Sequence, residues 1–170
     1  VEALTMGSRI AVMKNGIIEQ CAQPQSIYET PETFFVADFI GSMNFFDGEI
    51  LEKNNDYTVL KLFDSLIVNY RGKTRFNKSD KIIFGIRPEQ LKISLLEPKD
   101  FENGIAGTIE NQIYMGDSTK FIIRLDCGKI VNVNFLNYLL IESKVMPFEL
   151  GEKIYLIWSK SSGVILNVAK

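Results

Sequence analysis

Val131-Asn132-Val133-Asn134-Phe135 alternates apolar and polar side chains residue by residue. Successive side chains of a strand point to opposite faces, so this stretch buries one face and wets the other. Outward from it, similar patterns recur along most of the chain. They predict strands near 45–51, 57–62, 66–70, 81–86, 91–95, 104–114, 119–125, 130–135, 153–158 and 164–168. Gly, Asn and Asp mark most joins. Many short strands divided by turn signals predict a sandwich or a small barrel. The stretch 137–149 is the least strand-like and reads as a short helix or a loop. No internal repeat stands out, although the β part is long enough for two small barrels.

Residues 1–44 read differently. Arg9-Ile10-Ala11-Val12-Met13-Lys14 is an apolar strand, Asn15-Gly16 a two-residue hairpin turn, and Ile17-Ile18-Glu19-Gln20 the return strand. Pro24 opens a short helix through Ile27 and Tyr28. Thr30-Pro31-Glu32-Thr33 predicts a second helix start, with Thr30 as cap and Pro31 at the first helical position. Gly41 is expected to end that helix.

The composition excludes several classes. With 46 % apolar and 24 % charged residues the 170-residue chain can build a packed core, and its net charge of −2 offers nothing to a polyanion. No apolar run approaches the roughly 20 residues that span a bilayer. Histidine is absent, which removes the commonest general base and metal ligand. Cys21 and Cys127 stand alone, without clustered ligands, and fit a reducing compartment. The start at Val1, with neither initiator Met nor signal peptide, reads as a segment cut from something longer. No G-x-G-x-x-G or G-x-S-x-G is present. Gly72-Lys73-Thr74 ends like a phosphate-binding loop, but Ile67 stands where the first Gly belongs, so a hairpin turn is expected there. Asn77-Lys78-Ser79 matches a glycosylation acceptor, which has no meaning without a secretory signal.

The stretch from Val1-Glu2-Ala3-Leu4 through Arg9-Ile10-Ala11-Val12-Met13-Lys14-Asn15-Gly16 resembles the end of the nucleotide-binding domain of ABC importer ATPases. The likeness continues through Pro24, Ile27-Tyr28, Pro31 and Phe34-Phe35-Val36-Ala37-Asp38-Phe39-Ile40-Gly41. Gly85-Ile86-Arg87-Pro88-Glu89 resembles the Arg-Pro-Glu signature of the C-terminal regulatory domain of that family, the TOBE domain. Gly107-Thr108-Ile109, Tyr114-Met115-Gly116-Asp117-Ser118 and Gly151-Glu152-Lys153 through Trp158 resemble its later blocks.

The resemblance implies a mostly β fold: an OB-fold-like β-barrel regulatory domain over 42–170, preceded by a short α/β remnant of an ABC ATPase domain over 1–41. It implies that Walker A, Walker B, the signature motif and the switch histidine precede Val1, so that this chain holds no cofactor and is no enzyme. ATP and Mg then belong to the longer parent subunit, a transport ATPase. The implied partners are a twin barrel in a homodimer and ABC permease subunits reached through the missing ATPase part. Neither nucleic-acid binding nor membrane insertion is implied, and the implied place is cytoplasmic, peripheral on the inner face of the cell membrane. Phe39-Ile40-Gly41-Ser42-Met43-Asn44-Phe45-Phe46-Asp47-Gly48 is similar to the spermidine/putrescine subgroup. Iron(III), phosphonate and sugar importers remain alternatives, and polyamine feedback on the barrel is one regulatory reading.

Two groups are candidates for dimer contact or regulation. Arg87, Pro88 and Glu89 follow an apolar strand, where the charges either pair across the dimer or to the ATPase domain, or are simply solvated. Gly116, Asp117 and Ser118 either bind a small effector through backbone N–H groups or form a plain β-turn. Trp158 and Tyr155 form a stacking platform or, for Trp158, part of the core; Phe34, Phe35 and Phe39 read as core and docking surface. A free-standing OB-type binder of single-stranded nucleic acid or oligosaccharide stays open, since 11 % aromatic residues supply stacking groups. A hydrolase with an unrecognised carboxylate site has no positive support. The hairpin at 9–20, with open edges, is expected to pack on the barrel or to exchange between chains.

Overall fold

The computed structural model describes residue 5 and residues 7–63, 65–99, 102–137 and 148–168. Ile10–Lys14 (β1) and Ile17–Ala22 (β2) form an antiparallel hairpin. Its turn residues Asn15 and Gly16 both take positive φ, 51° and 81°, which this pair tolerates best. Two short helices follow, Pro24–Glu29 (α1) and Phe34–Ile40 (α2). Then come Asn44–Lys53 (β3), Thr58–Leu62 (β4), Leu66–Tyr70 (β5), Lys81–Ile86 (β6) and Lys92–Ser94 (β7). Glu102–Tyr114 (β8), Ser118–Leu125 (β9), Ile130–Leu136 (β10), Lys153–Ser159 (β11) and Val164–Asn167 (β12) complete the chain. The expected strands are all present, with ends shifted by a few residues at most. Most of the 137–149 stretch lies outside the described residues.

These later strands build two five-stranded antiparallel sheets, ordered β12-β6-β3-β4-β5 and β10-β9-β8-β11-β7. In the second, the edge strands β7 and β10 come into contact, so the sheet curls toward closure. The inward faces share one core. Phe46, Leu60, Val68, Ile82 and Phe84 of the first sheet join Ile109, Phe121, Ile123, Val131 and Leu156 of the second in one cluster. The alternation of Val131 and Val133 with Asn132 and Asn134 thus packs as its period predicts.

Two asparagines stitch the sheets together. Asn44 Nδ2 donates to Asn132 O at 2.8 Å, and Asn132 N–H donates back to Asn44 Oδ1 at 2.8 Å. Asn103 does the same to the backbone of Asn69, at 2.8 and 2.9 Å. Each side-chain amide imitates one rung of a β-ladder where the two sheets meet. Both asparagines are buried, and buried polar groups persist only when paired.

The N-terminal segment differs from expectation in the capping of its helices and in where its hairpin packs. The cap of α2 is Thr33, whose Oγ1 accepts from Val36 N–H at 3.2 Å. Thr30 instead closes α1, with Oγ1 donating to Ser26 O at 2.8 Å. The reason is the buried Gln20, which takes the Glu32 N–H and donates to Thr30 O, pulling 30–32 away from helical geometry. Gly41 ends α2 as expected, in extended backbone with φ 169°. The hairpin packs on the two helices rather than on the barrel: Val12 meets Ile27, Val36 and Ile40 in a small core of its own. Helix α2 carries a second apolar face that turns to the barrel, where Ala37 joins Ile83, Val164 and Leu166 and the Phe34 ring lies tilted against Phe45, centroids 4.4 Å apart. Helical spacing makes this double duty possible, since 36 and 40 share one side and 34 and 37 another. On the outer face of the hairpin the cross-strand pair Met13 and Ile18 is exposed, as are Ile17 and Phe39.

Gly72-Lys73-Thr74 is no hairpin turn. It lies in the loop that carries the chain from edge strand β5 past β4 and β3 to β6. No helix follows it, so its N–H groups cannot converge at a helix start as a phosphate-binding loop requires.

Candidate functional site at the Arg87 joint

From Ile82 to Pro88 every residue is buried, and Arg87 is the one charge in that run. Pro88 opens a single 3-10 turn, Pro88–Gln90, that fixes the backbone on either side of Arg87. Arg87 N–H donates to Gln90 Oε1 at 3.1 Å, and Gln90 N–H returns to Arg87 O at 3.0 Å. The guanidinium thereby points away from solvent, with the residue only 3 % exposed.

Its donors all serve the N-terminal segment. Nε and Nη2 donate to Tyr28 O at 3.3 and 2.8 Å. Nη1 donates to Gly41 O at 3.1 Å and Ser42 O at 3.2 Å. Tyr28 lies in the last turn of α1, and Gly41 caps α2. Carbonyls at helix C-termini lack intrahelical partners and carry partial negative charge. One rigid, forked cation therefore satisfies the ends of two helices at once.

The Tyr28 ring completes the enclosure, its centroid 3.8 Å from the guanidinium carbon. That approach allows a cation–π attraction on the ring face. The Tyr28 hydroxyl donates to Glu89 Oε1 at 2.5 Å. Burial foremost, then the hydrogen bond to Glu89 and its charge, pushes the Tyr28 phenol up to about 12. Burial lowers the pKa of Arg87, with Tyr28 and Glu89 opposing; a guanidinium stays charged at neutral pH all the same. Farther along the joint, Arg75 Nη2 donates to Glu32 O at 3.3 Å.

Arg87, Pro88 and Glu89 thus act together, at the joint between helices and barrel. Arg87 is no solvated charge: it pairs with backbone carbonyls of its own chain. Gly116, Asp117 and Ser118 lie elsewhere, at the exposed tip between β8 and β9. Met115 N–H donates to Ser118 O at 2.9 Å, and Gly116 takes φ 93°, a turn geometry. Asn137 pins the tip from the side, donating to Gly116 O and Asp117 O at 2.8 and 2.9 Å. Trp158 is core, while Tyr155 sits on the other face of β11 and donates to Glu97 at 3.0 Å. They form no common platform.

Tyr28, Gly41 and Ser42 were invisible to sequence reasoning as site residues, since they meet Arg87 across 59, 46 and 45 positions. The available signal was one Arg at the end of an apolar run and before a Pro. Chemically the site holds and aligns. Among the described residues there is no group of three His, Cys, Asp or Glu side chains able to hold a metal. No helix of the described residues is long and apolar enough to cross a membrane.

Residues 42–91 match the MalK OB fold domain and residues 84–166 the TOBE domain. Arg87 falls in both matches. The chain is 35 % identical, over 99 % of its own length, to the spermidine/putrescine import ATP-binding protein PotA of Trichodesmium erythraeum, covering 45 % of that protein. It is 34 % identical, over 98 % of its length, to the protein of the same name in Vibrio parahaemolyticus, covering 43 %. The chain therefore spans under half the length of these relatives. Among solved structures it is similar to the cytoplasmic molybdate-binding protein ModG, with a TM-score of 0.62 over 74 % of this chain and 96 % of that one. At 9 % identity this is a likeness of fold alone.

Proposed function

The chain belongs to the TOBE and OB-fold regions of ABC-importer ATP-binding subunits, and on that premise we propose that it regulates and dimerises a subunit serving polyamine uptake. The TOBE/OB region itself is a non-catalytic regulatory module. Residues 1–41 are the end of the nucleotide-binding domain, and residues 42–170 the regulatory domain. ATP and Mg2+ bind upstream of this chain, in the part that also meets the permease subunits at the inner face of the membrane. The polyamine assignment rests on the relatives that share the spermidine/putrescine name.

The observation that carries this reading is the Arg87 joint. A residue of the regulatory part grips the ends of α1 and α2 through buried, forked hydrogen bonds. Movement of the helical segment during an ATP cycle is therefore passed to the barrel. An effector on the barrel biases that cycle only through its different affinity for the two states. Contact with the twin barrel is assigned to the exposed tip around Gly116, Asp117 and Ser118, beside the exposed Tyr114 and Met115.

The test uses the full-length subunit with its permease partners in vesicles. Uptake of labelled spermidine that requires ATP is expected, with an ATPase rate that responds to Arg87→Ala. Uptake of iron(III), phosphonate or sugar in place of spermidine would overturn the polyamine assignment and leave the module assignment standing. An ATPase rate indifferent to both Arg87→Ala and removal of 42–170 would overturn the regulatory role.

A further inference from the structure

The backbone of Glu32 is held from two sides. Its N–H donates to Gln20 Oε1 at 3.0 Å, and its C=O accepts from Arg75 Nη2 at 3.3 Å. Gln20 belongs to β2, and Arg75 to the loop between β5 and β6. One residue of the α1–α2 connection therefore joins the N-terminal hairpin to the barrel. The bridge shares no partner with Arg87, which holds Tyr28, Gly41 and Ser42. Gln20 is 6 % exposed, and its Nε2 also donates to Thr30 O at 3.3 Å. Both halves of its amide are spent on the connection, as burial of an amide requires. Beside it, Thr33 Oγ1 donates to Glu19 Oε2 at 3.4 Å.

The barrel end is ordered as well, although Arg75 itself is exposed. Lys53 Nζ donates to the carbonyls on either side of Arg75, Thr74 O at 3.0 Å and Phe76 O at 2.8 Å. The Arg75 guanidinium lies over the Phe76 ring, 5.3 Å from its centroid, and Phe76 packs against the main core. Farther on, Ser79 N–H donates to Ile50 O at 2.7 Å and Ile50 N–H to Asp80 O at 3.1 Å, which ties the loop into β3. We propose that Glu32 is a second mechanical link between hairpin and barrel, with Gln20 and Arg75 as its positioning residues. The Arg87 joint follows the ends of the two helices. The Glu32 bridge follows the hairpin, because displacement of β2 pulls the connection, then Arg75, then the loop bonded to β3. The bridge itself is independent of the importer reading. That nucleotide drives the displacement rests on the regulatory role.

The test measures amide hydrogen exchange in this chain and its Arg75→Ala variant. The Glu32 N–H is bonded to Gln20, not to Arg75, so only coupling between the two ends moves it. Exchange about fivefold faster is expected, the worth of one modest hydrogen bond, with Arg75→Lys restoring much of the protection. In a double-mutant cycle the effect of Arg75→Ala should largely vanish in a Gln20→Leu background. If Gln20→Leu does not fold, Lys53→Met, which frees both carbonyls beside Arg75 from an exposed position, takes its place. Unchanged exchange at Glu32 in Arg75→Ala, or strictly additive losses in the cycle, overturns the bridge. In the full-length subunit an unhydrolysable ATP analogue should alter exchange across 71–80, and Arg75→Ala should abolish that response. The same response with and without Arg75 overturns transmission through the bridge. A bridge that passes the cycle in a subunit whose ATPase rate ignores the barrel would stand, and the regulatory role alone would fall.

Discussion

The guanidinium of Arg87 lies 3.8 Å from the centre of the Tyr28 ring and donates to that residue's own carbonyl at 2.8 Å. A single side chain so clamped on one face and along its edge cannot be lost without exposing several groups. Arg87→Ala leaves the carbonyls of Tyr28, Gly41 and Ser42 short of partners in a buried place. A loss of about 3 kcal/mol is expected, from unmet acceptors at roughly 1–3 kcal/mol each with partial relaxation. Urea unfolding measures the loss, and faster amide exchange in α1 and α2 locates it. Arg87→Lys keeps the charge but not the fork, so it should fall between the two.

The joint should loosen at high pH. The folded pKa of Tyr28, about 12, is raised above its ordinary 10.0. A raised folded value means that the contribution is complete below pH 10 and fades as pH climbs through 12. Stability of the wild type relative to Tyr28→Phe should therefore decline across that window. A difference that stayed flat from pH 9 to 12, spans set by the ordinary tyrosine range of roughly 10 and this shift, would contradict the assignment.

Asn44→Ala and Asn103→Ala each remove both rungs of one stitch. Each leaves a backbone N–H and C=O unpaired between the sheets, at about 2–4 kcal/mol. The sites are far apart in sequence and share no partner, so the double variant should lose nearly the sum. Thermal or urea unfolding of the three variants decides it.

Gly163→Ala should be costly. Gly163 takes φ 89°, and a Cβ there would run into the Phe84 ring and sit 2.9 Å from Gly85 O. Left-handed strain and the clash together are expected to lower stability by about 2–3 kcal/mol. Gly116→Ala, at a φ of 93° but with no atom within 4 Å of the new Cβ, carries the strain alone and should lose less. Equal losses in the two variants would rule out the clash.

The helical segment shows where local reading stops. Thr30-Pro31-Glu32 has the composition of a helix start, yet the helix begins at Phe34 because a side chain ten or more residues upstream, Gln20, claims the connection. Likewise Asn44 falls at an inward position of β3, where alternation predicts an apolar residue, and its partner Asn132 lies 88 residues on. The inward asparagine was a readable anomaly; the identity of its partner was not.

The sequence by itself determined the strands, the Asn-Gly hairpin and, through motif resemblance, the family, because period, turn chemistry and colinear motifs are local properties. Leu66–Tyr70 and Lys81–Ile86 coincide with the expected ranges for that reason. Only the tertiary structure decided what Arg87 does. Its partners are backbone carbonyls, which every residue carries and no sequence pattern marks.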